Sequence, residues 1–552
     1  MSSKHNLSYS GPGQLKSTTE TQVCGVCHVP HLGSSDSDRP AARAVAIDLL
    51  DGGSRACLGC HDGTVATARA VEPSTPLPPS TVELARGFGT SWVGLEPSGG
   101  SSAGMVGTDL GTSHPISVRL EPGEGLRSLQ GTSTLRLDRG GRIQCSTCHE
   151  PHREDRDPTT RKFLRSANRA SAMCLECHLI EGWDSNPASH QVSPKAFSRT
   201  DGAHTGYSTV ADNGCEACHK PHGAAADTPL LKGVGSAVCI GCHAGRVASK
   251  DLRPALAASF GHPLLENQHA HDSKESSGSW RQAPRDQLGT QRHVTCVDCH
   301  NPHAAHSRTE SAPFVSGALA GVDGLDAFGR RVSPARFEYE VCFKCHGLDE
   351  KADWSAVRIL RIARRSAVPE ANLRMKFDLS SAASYHPIEG PGRNPDVPSL
   401  IPPLGPSSVI YCSDCHANEL ASSGGPRGPH GSSYPGLLER NLSTQDWTAE
   451  SPTAYGLCYK CHDREAVLSF SSPFPAHTAH VVRSRAPCNA CHDPHGVSGS
   501  QGSSEANAHL IDFDRDIVRP SRSGRLEYVS VGPRMGRCWV SCHGVDHAGV
   551  AY

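Results

Sequence analysis

Aromatic residues are 5% of the 552-residue chain and hydrophobic ones 36%, too few to build the core expected at this length. No run of about 18 apolar residues occurs, which excludes a helix spanning a membrane by itself. Positive charge is not in excess either: 54 Lys and Arg stand against 56 Asp and Glu, so nucleic acid is not an expected partner. The opening "MSSKHNLSYSGPG" has no apolar h-region and no cleavage site, so no signal peptide is legible here. With 55 Gly and 40 Pro, much of the backbone should be irregular, and ordinary helix and sheet scarce.

What the chain does have is cysteine, 24 in all, and none is left over from a repeated pattern. Eleven sites read Cys-x-x-Cys-His: Cys24, Cys27 and His28; Cys57, Cys60 and His61; Cys145, Cys148 and His149; Cys174, Cys177 and His178; Cys215, Cys218 and His219; Cys239, Cys242 and His243; Cys296, Cys299 and His300; Cys342, Cys345 and His346; Cys412, Cys415 and His416; Cys458, Cys461 and His462; Cys488, Cys491 and His492. The twelfth, Cys538, Cys542 and His543, carries one extra residue between the thiols. Paired cysteines also serve disulfides and zinc, but neither needs a histidine directly after the second cysteine. Cys-x-x-Cys-His is the attachment signature of c-type haem: two thiols on one turn take the vinyl groups, and the adjacent imidazole reaches the iron. Twelve covalent haems c are the expectation, with the porphyrins themselves as core. Two propionates per haem would take the oxidised protein to a net charge of about −14. Covalent attachment is extracytoplasmic chemistry in bacteria, so a leader absent from this sequence is expected.

Taken in order, the twelve sites group two by two. This predicts six dihaem modules, at 1–100, 101–185, 186–250, 251–375, 376–470 and 471–552. The first site of most modules continues into Pro-His, ending at His31, His152, His222, His303 and His495; the fifth module supplies its Pro-His only at His430. Second sites lack the extension. Upstream of each first site lies another histidine: His5, His114, His204, His262, His386, and His480 or His477. Each module thus offers two histidines beyond its two motif histidines, enough to close every iron.

His28 and His31 should serve different irons. Three residues span at most about 10–11 Å, too little to pass comfortably round a porphyrin, and Pro30 turns His31 away from the local turn. His31, His152, His222, His303, His430 and His495 are therefore predicted to bind neighbouring irons as cross-haem ligands. His5, His114, His204, His262, His386 and His480 are predicted to complete the rest, which iron each serves being illegible. His190, His269, His271, His293, His306, His477, His509 and His547 have no place in this scheme. Besides the initiator, the methionines are Met105, Met173, Met375 and Met535, read as packing residues. Bis-His, low-potential haems follow.

Elsewhere, "LRLDRGGRIQ" reads as a hairpin with a Gly-Gly turn delivering Cys145, and "RLEYVSV" near residue 530 as a strand. "DWSAVRILRIARRSAV", from Asp353, reads as a longer helix with an arginine-rich solvated face. Segments 71–110, 266–291 and 391–408 read as loops or linkers.

Doubled sites with Pro-His after the first resemble the doubled-motif multihaem cytochromes c of metal- and mineral-respiring bacteria, and "SSKHNLSYSGPG" leading to "CGVCHVPH" is similar to members of that group. The resemblance implies little regular secondary structure, with short helices at the attachment sites and a few hairpins around a stacked haem chain. It implies an electron-transfer protein rather than an enzyme, working with redox partner proteins in the periplasm, in an outer-membrane porin or outside the cell. Self-association into a filament is an alternative. A reductase with one open haem is another, although every motif here keeps its histidine.

Overall fold

The structure is a computed structural model, and it describes residues 5, 6, 8, 10, 22–24, 50–61, 110–123, 125–183, 189–201, 203, 205–225, 229–265, 294–347, 366, 368, 370, 372–470 and 472–552. Within these residues the chain forms two compact units, one made of Met1–Ser185 with His190–Gly241, the other of Asn186–Ser189 with Cys242–Tyr552. The helix expected from Asp353 and the linkers 71–109 and 266–291 lie outside the described residues. Segment 391–408 is irregular, as its proline content dictates.

In the first unit, helix α1 (Gly52–His61) starts where the Asp51 carboxylate accepts the Ser54 N–H at 2.6 Å, satisfying a first-turn donor that would otherwise be orphaned. The rest of the unit is mostly single turns at cysteine motifs: Cys145–Cys148, Cys174–Glu176, Gly214–Ala217 and Ala237–Ile240. The Gly-Gly turn ahead of Cys145 forms, with Gly141 at φ +72° and its N–H on Asp138 O at 3.0 Å. Its neighbour differs from the simple hairpin: Ser117 N–H donates to Ile143 O at 2.7 Å and Ile143 N–H to Val118 O at 2.8 Å. Residues 117–120 thus come from upstream to pair with the segment that leads into the cysteine turn.

The second unit holds the longer elements. Strands β1 (Gly324–Leu325) and β2 (Arg331–Val332) pair antiparallel and precede helix α2 (Glu338–His346). Glu340 begins that helix by accepting the N–H groups of Arg336 and Phe337 at 2.7 and 3.1 Å, and two glutamates in its first turn suit the positive end of the helix dipole. Tyr339 and Phe343 of α2 pack with Leu325, Phe377, Ala382, Tyr385 and Ile388. Strand β3 (Ser384–Tyr385) pairs with β4 (Gly496–Val497). The C-terminal sheet, β5 (Glu527–Gly532), β6 (Met535–Cys542) and β7 (Val545–Ala551), is a meander packed on Ala490, Phe513 and Val518. β5 is the strand expected near residue 530. Apolar clusters are small and local throughout, as the shortage of large side chains requires.

Candidate functional site

Seven of the cysteine motifs are closed by one bond. The histidine N–H donates to the carbonyl of the first cysteine, at 3.0 Å for His149, 3.0 Å for His178, 2.8 Å for His219, 2.9 Å for His300, 2.9 Å for His416, 3.0 Å for His462 and 2.9 Å for His492. That bond folds two thiols and an imidazole onto one turn, the geometry thioether attachment needs. All described cysteines are free of disulfides, and among the described residues no group of three or more His, Cys, Asp or Glu is placed to hold a bare metal ion.

Histidines meet in pairs. Three motif histidines of first sites face a Pro-His histidine from the next module: His149 and His222 have ring centroids 6.1 Å apart, His300 and His430 6.0 Å, His416 and His495 5.9 Å. Three motif histidines of second sites face the upstream histidine of their own module: His61 and His5, His178 and His114, and His346 and His262, each at 6.1 Å. In the last module both upstream candidates are engaged, His477 with His492 at 6.4 Å and His480 with His547 at 5.9 Å. Two imidazoles on opposite sides of one metal ion, bonded at about 2 Å each, place their centroids roughly 6 Å apart. The spacing therefore fits a haem iron between the rings.

The opposite ring nitrogen is tied down. Nδ1–H donates to a backbone carbonyl in His149 (Lys162 O, 2.9 Å), His219 (Pro229 O, 2.8 Å), His262 (Pro429 O, 3.0 Å), His300 (Ala318 O, 2.8 Å), His416 (Gly436 O, 2.9 Å), His480 (Ala476 O, 2.8 Å) and His492 (His509 O, 2.8 Å). His386 donates in the same way to Pro494 O. Such a bond selects the tautomer whose Nε2 lone pair is available to a metal. Burial also keeps the rings neutral, lowering His114, His149 and His416, and pushing His222, His430, His462, His477 and His495 down to about 4. For His462 the main cause is burial, to which charge repulsion from the nearby His386 adds.

Seven pairs of successive cysteine turns touch. The Cys57 and Cys145 thiols hydrogen-bond, as do Cys174 with Cys215, Cys342 with Cys412, and Cys458 with Cys488. Each of these contacts joins the second site of one module to the first site of the next. Within modules, Cys148 lies beside Cys177, Cys299 beside Cys342 and Cys345, and Cys415 beside Cys458 and Cys461. Short polar bonds set these contacts: Ser54 Oγ accepts the Cys145 N–H at 3.1 Å, Ser171 Oγ accepts the Cys215 N–H at 2.6 Å, and the Glu338 carboxylate accepts the Ser413 N–H at 2.9 Å. In the fourth and fifth modules the lysine between the second-site cysteines donates to a first-site carbonyl, Lys344 to Asp298 O and Lys460 to Asp414 O, both at 2.5 Å.

Other expected residues are placed by different bonds. His152 Nδ1 bonds Glu150 Oε1 at 3.0 Å on an exposed loop, and the His303 N–H donates to Asn301 Oδ1 at 3.0 Å. Cys27, His28, His31, His204 and the Cys60 side chain lie outside the described residues. His543 does not face His480. Its ring stacks on Trp447 at 3.8 Å, and its Nε2–H donates to Asp446 Oδ1 at 2.8 Å. Sequence reasoning set His477 behind His480 and left His547 out of the ligand set within the chain, naming it only as a candidate donor to a second copy; neither has a Pro-His or Cys-His context to signal it.

Residues 139–179, 208–248 and 405–467 match the family model described as the doubled CXXCH motif, each match containing two attachment sites. The multiheme cytochrome MtrA of Shewanella baltica (strain OS185) is 25% identical over 170 residues, which are 30% of this chain and 36% of that protein, so the chain spans about a third of the length of this curated relative. No solved structure matches. Among the described residues, no helix is long and apolar enough to cross a membrane.

Proposed function

We propose that this chain, a multihaem cytochrome of the doubled-CXXCH kind with distant similarity to MtrA, relays electrons along one file of twelve haems c that follows the order of the motifs in the sequence. The observation that supports the reading is the contact between successive cysteine turns at seven places, from Cys57 to Cys215 in the first unit and from Cys299 to Cys488 in the second. Haem, when bound, supplies a one-electron iron couple. The protein's residues supply spacing, ligation and insulation.

Ligation follows a staggered rule in this reading. The upstream histidine of a module serves that module's second site, as His5 does for His61, His114 for His178, His262 for His346 and His386 for His462. The Pro-His histidine of the following module serves the first site, as His222 does for His149, His430 for His300 and His495 for His416. The two kinds are held together by the proline carbonyl of the Pro-His pair. His262 donates to Pro429 O at 3.0 Å, His386 donates to Pro494 O, and the His114 N–H donates to Pro221 O at 2.8 Å. One module therefore completes the first site of the module before it, and neighbouring sites cannot drift apart without losing a ligand.

Paired imidazoles leave no position for a substrate on the irons they close, which favours relay over catalysis. Buried neutral histidines and scarce methionine favour low potentials across the file. The chain's work is then extracytoplasmic, between redox proteins at its two ends, with an outer-membrane porin or a second copy of the chain as candidate partners. The test is low-temperature electron paramagnetic resonance of the fully oxidised protein, with haem number fixed by intact mass. Twelve attached haems, all low-spin, are expected. A high-spin signal from the native protein would mean an open iron and would replace the relay by a reductase.

A further inference from the structure

The twelfth site breaks the backbone pattern of the others. At seven described sites a single turn carries the histidine after the second cysteine back over the first, through the N–H···O=C bond described above. At Cys538–Cys542 the backbone is strand β6. Four residues of strand extend about 13 Å, whereas three residues of a tight helical turn rise about 6 Å. On a strand the residue after Cys542 is not carried back. It leaves into the corner, where His543 and Gly544, at φ +50° and +79°, form the two-residue turn between β6 and β7. Positive φ at both central residues is the primed turn such corners require.

Facing residues on paired strands project to the same side of a sheet. Val540 pairs with His547 and Cys542 with Val545, and alternation along β6 sets Cys538, Val540 and Cys542 on one face. His547 is therefore on the face of the two thiols. Its ring is 5.9 Å from that of His480, within the 5.9–6.4 Å range of the other histidine pairs. His480 donates Nδ1–H to Ala476 O at 2.8 Å, the posture of the other paired histidines. His543 has the reverse posture, with Nε2 spent on Asp446 and its Nδ1 buried without a hydrogen-bond partner.

We infer that the terminal haem takes His547 in place of the motif histidine His543 as the ligand opposite His480. This rests on the haem reading above and deepens it. It also accounts for the double use of the upstream segment: with no later Pro-His to serve the His492 site, His477 serves it, and His480 keeps the second-site role that upstream histidines have in earlier modules. His543 becomes a corner residue, clamped by Asp446 and Trp447, that holds the sheet to the loop containing them.

The test uses the full-length holoprotein in two variants, His547→Ala and His543→Ala, with haem number by intact mass and spin state by electron paramagnetic resonance. His547→Ala is expected to convert one haem to high spin, reversed by added imidazole, while His543→Ala leaves every haem low-spin. A high-spin signal in His543→Ala, or none in His547→Ala, overturns the assignment. Should His547→Ala fail to accumulate, His547→Met keeps a ligand, and one haem should titrate at a higher potential with the mass otherwise unchanged; an unshifted titration overturns the assignment equally. Native protein without attached haem would instead sink the reading on which it rests.

Discussion

At the scale of single residues, what matters is which atom of an imidazole is free. His222 lies against His149 in a buried site that pushes its pKa down to about 4, so at neutral pH it is the unprotonated ligand form. Replacing His222 by Met should leave every haem attached and raise the potential of one, because Met/His ligation stabilises ferrous iron relative to bis-His; a redox titration indistinguishable from wild type would remove His222 from the ligand set. Glu389 is the opposite case, an acid whose burial, aided by Asp378 and only partly offset by Arg374, raises it to about 8. Between about pH 4.5 and 8 the folded chain keeps a proton that the unfolded chain has released, so this residue's contribution to stability falls as pH rises through that window. Glu389→Gln should flatten that slope, seen as a smaller difference between unfolding midpoints at pH 5 and pH 8.

Elements here are short, and polar bonds between them do what a large core does elsewhere. The turn Leu373–Lys376 is tied to the sixth module by Lys376, whose ammonium meets Asp493 at 2.5 Å with each side chain 4% exposed. Lys376→Met would strand the carboxylate in the interior at a cost of about 3–5 kcal/mol. Asp493→Leu added to it should recover much of that loss, and chemical denaturation of the single and double variants checks both. The cysteine turns were legible as elements because each motif states its own geometry. The Gly-Gly turn before Cys145 was legible from its glycines, but its partner at 117–120 was not, since nothing local specifies which extended segment supplies the facing hydrogen bonds.

Among the described residues, apolar clusters such as Ala454, Tyr455 and Val481 are small and separate, so side-chain burial alone is a weak hold on these elements. Folding should therefore be linked to haem attachment, as metal and cofactor binding is linked to folding in other poorly cored proteins. Chain produced without haem attachment should show no cooperative thermal transition and rapid proteolysis across the described elements, whereas a protease-resistant apoprotein would mean the polypeptide supplies its own core.

The twelve cysteine motifs, their two-by-two order and the surplus of histidines were all readable from spacing, because residues that would serve thioether formation and proximal ligation must be adjacent along the chain. Partner choice was not, because the histidines that face the motif histidines come from far away in sequence: His300 meets His430, and His416 meets His495. Proximity in sequence favoured His543 at the last site. Only the pairing of β6 with β7, a property of the folded sheet, brings His547 opposite His480 and turns His543 toward Asp446.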